Sequence, residues 1–122
     1  MSVHVQWDND DRTIILWSFV GRWTWGEYED ALAATASMLD TVDHKVDYIY
    51  DVRLMSILPP DVVTRFKAKY LKLPEKVGRF VAVGVDDYLR LVWNTFTDLP
   101  YARHLRVDYA DTLEEARDIL SG

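Results

Sequence analysis

The segment "RTIILWSFVG" (12 to 21) constrains the fold more than any other stretch of the chain. Read as a strand, it puts Ile15, Trp17 and Phe19 on one side and Ile14, Leu16 and Val20 on the other, so neither side is polar. A strand that is apolar on both faces must be covered on both, and belongs inside a layered α/β sheet. "RFVAVGV" (79 to 85) has the same character, and "VDYIYDV" (46 to 52) reads as a third strand. Two other runs alternate instead. "VHVQW" sets Val3, Val5 and Trp7 against His4 and Gln6, and "HLRVDYA" (104 to 110) sets Leu105, Val107 and Tyr109 against His104, Arg106 and Asp108. Alternation leaves one wet face and predicts edge strands.

Helical patterns separate these strands. Thr24 and Glu27 have capping-box spacing at the head of "TWGEYEDALAATASMLD", with Tyr28, Leu32, Thr35 and Leu39 on one face. Pro60 suits a first helical turn, and Val63, Phe66, Tyr70 and Leu73 follow it at helical spacing until Pro74. Asp86 precedes "DYLRLVWNTFTDL", which ends before Pro100, and Thr112 with Glu115 gives a second capping box for "LEEARDIL". "DNDD" (8 to 11) is a turn, making the first two strands a hairpin.

The predicted architecture is a single mixed five-stranded α/β sheet over residues 1–122, in ββαβαβαβα order, with an N-terminal hairpin followed by β-α crossovers. Composition agrees with a packed domain, since 49% of residues are hydrophobic and 28% charged, with five Trp and seven Tyr. The absence of cysteine excludes disulfides, thiolate metal sites and thiol nucleophiles, and fits a reducing, cytoplasmic setting. No apolar run approaches the roughly 20 residues that span a bilayer, so no membrane partner is expected. The net charge of −6 argues against a nucleic-acid binder.

The element order, the size, the "VDYIYDV" strand leading into a helix and the "VGVDD" strand end together resemble the STAS family, the sulfate-transporter and anti-sigma-factor-antagonist domains. The resemblance covers nearly the whole chain and implies a STAS-like fold with a non-catalytic, protein-binding role in bacterial signalling. In antagonist members of that family, an Asp-Ser pair after the third strand carries a phosphoacceptor serine. Asp51 and Val52 match the strand-end pattern here, but Pro59 and Pro60 stand where that pair would be. Ser56 is then the one hydroxyl left in the loop, three or four residues early, and the weaker candidate for phosphorylation.

Charge gives this region a second distinction. Residues 53–79 hold seven basic and two acidic side chains, a net of +5 inside a chain whose remainder carries −11. On a helix at about 100° per residue, Arg65, Lys69 and Lys72 fall within about one sixth of a turn and form a ridge. The resemblance implies that this helix contributes to partner contact. The expected contact set is therefore Arg53, Ser56, Pro59, Pro60, Asp61, Arg65, Lys69 and Lys72, facing an acidic protein surface.

No enzyme signature competes with this reading. There is no GxSxG elbow and no phosphate-cradling glycine loop, and His4, His44 and His104 lie far apart. Asp51, Asp86 and Asp111 sit at or beyond strand ends, where three carboxylates could converge on a metal; Asp86 and Asp111 also read as helix caps. The expectation is no catalysis, no metal and no cofactor. The alternative is a domain that binds a small ligand, a nucleotide or an apolar molecule, beside the same strand ends. Crossovers of one hand would place the helices on one face, leaving an aromatic sheet face for a second copy, as a homodimer, or for a small apolar pocket.

Overall fold

A computed structural model describes residues 2–56, 59, 61, 65, 75–97 and 107–122. Five strands, β1 (Ser2–Trp7), β2 (Ile14–Gly21), β3 (Val46–Met55), β4 (Val77–Val83) and β5 (Val107–Ala110), form one sheet in the order β1-β2-β3-β4-β5. β1 and β2 are antiparallel and every later pair is parallel. Three helices are present among the described residues, α1 (Trp25–Leu39), α2 (Asp87–Thr97) and α3 (Leu113–Ser121). The mixed sequential sheet expected from the strand polarity is the one observed.

The first strands pair as a hairpin because the turn closes itself. Asn9 accepts the Thr13 N–H at 3.0 Å, donates to Thr13 Oγ1 at 2.7 Å, and leaves Arg12 in the left-handed region at φ 57°. At the far side of the sheet α3 returns to this turn, where Arg117 grips Asp8 with two bonds of 2.8 Å.

The two apolar faces of β2 found separate cover. Ile15, Trp17 and Phe19 join Tyr48 and Phe80 against Tyr28, Ala31 and Leu39 of α1. Ile14 and Leu16 join Ile49, Val81, Val83 and Ala110 against Ala116 of α3. Helices therefore lie on both faces, which corrects the one-face arrangement expected above: the last helix crosses no strand pair and is free to take the opposite side. Trp17 and Phe19 are 0% and 6% exposed within one chain, so α1 already supplies the cover assigned to a second copy. This aromatic core is continuous, with Trp17 in ring contact with Phe19, Tyr28, Tyr48 and Tyr50 at centroid separations of 5.5 to 6.2 Å.

The helix starts show which capping signals operate. Thr24 and Glu27 make the full reciprocal box, worth about 1 kcal/mol for the cap. At α3 the Thr112 hydroxyl accepts from Glu115 N at 3.1 Å, but the Glu115 carboxylate accepts from Asp111 N at 3.3 Å, one residue beyond the cap. The box is thus stretched, and Asp111 is not a cap as expected, because Thr112 stands one residue closer and takes the position. Strand limits also shift, with β3 running to Met55 and β4 spanning 77–83 rather than 79–85. Of the helix expected from Pro60 to Leu73, Asp61 and Arg65 are described; its other residues, Lys69 and Lys72 among them, lie outside the described residues, as do Pro100 and the start of "HLRVDYA".

Candidate functional site

β2 to β5 are parallel, so their C-terminal ends gather along one side of the sheet, and β2 and β3, whose last residues Gly21 and Met55 pair, reach furthest there. The β3 end is not a regular strand. Ser18 pairs with Asp51 and Val20 with Leu54, so two steps along β2 match three along β3, and the extra residue makes a β-bulge. A bulge strips a main-chain group from the ladder and re-aims the side chains beyond it.

Asp51 repairs the loss. Its Oδ1 accepts from Arg53 N at 3.1 Å and from Arg53 Nε at 2.9 Å, while Oδ2 accepts from Nη2 at 2.8 Å. One carboxylate thus satisfies the bulged backbone and holds the guanidinium in a two-pronged grip. The Arg53 guanidinium beside it holds the Asp51 carboxyl below its usual range, and the same bond raises Arg53. The Asp51 side chain is 13% exposed and that of Arg53 45%, so the grip fixes a half-exposed cation from beneath. Gly84, in the left-handed region at φ 80°, makes room: a Cβ there would come 2.3 Å from Arg53 Cγ and 3.1 Å from its Cα.

Beside Arg53 the bulge turns Leu54 outward, 69% exposed, with Ser56 exposed two residues on. Ser56 N donates to Gly21 O at 3.0 Å, fixing the chain as it leaves the sheet. The flank is aromatic. Trp23 Nε1 donates to Met55 Sδ at 3.0 Å, and Trp25 meets Trp23 edge-on at 5.2 Å. Arg65 stacks its guanidinium over Trp25 at 5.2 Å, so one cation of the expected ridge is anchored to the start of α1. Deeper in the same cluster, Tyr50 is pushed well above the ordinary tyrosine range, first by burial and then by Tyr28 and Tyr48. Pro59 is buried, and Asp61 adopts φ 62° and accepts from Arg65 N at 2.8 Å through its carbonyl.

Of the expected contact residues, Arg53 and Ser56 therefore share the β3 end, Arg65 lies over Trp25, and Pro59 turns inward. Pro60, Lys69 and Lys72 fall outside the described residues. Residues not foreseen are Leu54, whose exposure follows from the bulge, and Gly84, whose role follows from Arg53. The "VGVDD" segment carried the glycine, but nothing local announced its neighbour.

The strand-end aspartates take separate duties. Asp51 serves Arg53, Asp86 accepts from Leu89 N at 2.8 Å as the cap of α2, and Asp111 precedes Thr112. Among the described residues no group of three or more His, Asp or Glu side chains is placed to hold a metal ion. Among them, too, no helix is long and apolar enough to cross a membrane.

No family model matches the chain, and no curated protein matches it. Among solved structures, it is similar to an uncharacterized protein of the DUF3478 family from Shewanella loihica PV-4, described as having a SpoIIAA-like fold. The TM-score is 0.68 at 15% identity, over 98% of this chain and 92% of that one. Identity that low speaks for the fold alone. The chain therefore has a SpoIIAA-like, STAS-type fold, a mixed five-stranded sheet with helices on both faces.

Proposed function

We propose that the chain is a non-catalytic regulatory module that binds a protein partner through the β3 end and the basic segment after it. The observation that supports this most is the bulge, which leaves Arg53 out of register with β2 and exposed directly beside exposed Leu54, a held cation next to an apolar side chain. Arginine is enriched among the residues that dominate protein contacts, and the buried core of an interface is more apolar than its rim. The grip of Asp51 lowers the entropy lost when Arg53 meets a second carboxylate. The partner surface that fits is acidic with an apolar centre, and the +5 segment speeds its approach at low salt.

The fold's phosphoswitch is not needed for this reading. With Pro59 buried and no hydroxyl at 59 to 61, incubation with an antagonist-type kinase and ATP leaves those positions unmodified; phosphate on Ser56, three residues from Arg53, would show a displaced switch.

The test is capture from an extract of the source organism on immobilised protein. Wild type and Arg79→Lys are expected to retain one partner that Arg53→Glu and Leu54→Asp lose at least ~10-fold. Equal retention by all four would overturn the assignment. Native mass spectrometry of the same preparation distinguishes the small-ligand reading, which requires a co-purifying mass.

A further inference from the structure

The two edges of the sheet are guarded differently. β5 carries Asp108, which Arg79 engages at 3.3 Å. β1 runs six residues, Ser2 to Trp7, with no charge and no proline, and pairs with β2 at six consecutive positions without a bulge. Charge, proline, bulges and shortness are the usual protections of an open edge, and β1 has none of them.

The direction of its free groups can be derived. Asp8 N donates to Ile14 O at 2.8 Å, and in an antiparallel ladder alternate residues bond the same neighbour. Gln6, His4 and Ser2 therefore turn their main-chain groups toward β2, while Val3, Val5 and Trp7 turn theirs outward. The side chains of these three residues pack, partly buried, on the aromatic core. Among the described residues, each outward position thus pairs an open main chain with an apolar side chain that is only partly buried.

We propose that a second copy of this chain pairs antiparallel along β1, with the two-fold axis at Val5, joining two sheets into one. That register is self-complementary. Val5 meets Val5 and Val3 meets Trp7 on the apolar side, while His4 meets Gln6 on the polar side. It brings no like charges face to face, although the chain as a whole carries −6. The nearest acid, Asp8, falls opposite Ser2 and is neutralised by its two bonds to Arg117. About six main-chain hydrogen bonds close. A strand pair buries less than the roughly 800 Å² per partner of a standard interface, so the dimer dissociates on dilution. It uses the β1 edge rather than the β3 end, two strands away, and does not rest on the proposed partner contact.

Sedimentation of the full chain tests this. Its mass is expected to rise with concentration from 14.2 kDa toward twice that value. Val5→Pro removes one outward N–H and leaves the β2 ladder intact, so it is expected to stay monomeric with an unchanged circular dichroism spectrum. If that variant does not fold, Val5→Cys decides. The chain has no cysteine, and facing Cα atoms about 5.5 Å apart admit a disulfide. Mild oxidation should link Val5→Cys at least ~10-fold faster than Asp30→Cys on exposed α1, through its higher effective concentration. Wild type remaining at 14.2 kDa at ~0.5 mM, a Val5→Pro variant that dimerises as well as wild type, or equal cross-linking rates would each overturn the proposal.

Discussion

The two ends of β3 solve the same problem and use the solution differently. Near its start, Val46 pairs with Val77 and Tyr48 with Phe80, so β4 bulges by one residue at Gly78–Arg79. Asp47 Oδ1 accepts the Arg79 N–H at 2.7 Å, and a Cβ on Gly78 would come 2.5 Å from that oxygen. Near its finish, Asp51 accepts the Arg53 N–H, and Gly84 gives way to Arg53. Each end combines a bulge, an aspartate, an arginine and a glycine. The arginines differ. Arg79 donates to Ile119 O at 3.0 Å and reaches Asp108, binding α3 and β5 to the sheet. Arg53 has only Asp51, two residues away on its own strand, among the described residues. One end uses its cation to close the fold, and the other holds its cation ready at the surface.

Glycine substitutions break the comparison hardest. Gly84→Val combines a left-handed backbone with a collision at Arg53 Cγ, and should cost about 2–3 kcal/mol in urea unfolding. Gly78→Ala displaces the Asp47 carboxylate instead and should cost about 1–2 kcal/mol, the value for an amide left without its acceptor. A reversal of that order would mean that the β3 finish is the looser end.

Arginine substitutions separate the roles. Arg79→Ala should lower stability by about 1 kcal/mol because two elements lose their tie, whereas Arg53→Ala should change it by less than ~1 kcal/mol, as exposed pairs do. Thermal melts of both variants check this, and equal losses would remove the distinction drawn here. The smallest effect is on acid stability. Asp51 titrates below its ordinary value in the folded state, so its contribution is complete above that ordinary value and fades as pH falls through the depressed one. The stability gap between wild type and Asp51→Asn should hold at pH 5–7 and narrow below about pH 4. A gap that stays constant down to the acid transition would show that the Arg53 bond does not persist in solution.

Sequence patterning reached as far as local chemistry reaches. The apolar faces of "RTIILWSFVG" and the alternating edges determined the strand order, and Thr24 with Glu27 marked the start of α1, because each signal lies within one element. The bulges were not legible. In "VDYIYDV" Asp47 and Asp51 look like ordinary wet positions, and only the register with β2 and β4 shows that they mend a broken ladder. Gly78 and Gly84 are likewise explained by side chains some thirty residues earlier. The Trp23–Met55 and Arg65–Trp25 contacts join distant segments, so no periodicity could indicate them. Asp111 was misassigned because two good capping residues stand side by side, and only geometry chooses between them.

Site-specific photocross-linking in living cells tests the central claim most directly. A benzoylphenylalanine at Leu54 should trap a discrete partner band that is absent when the same group replaces exposed Lys45, just before the opposite end of β3. Bands of equal strength at both positions, or a band at Lys45 alone, would contradict the assignment of partner contact to the bulged end.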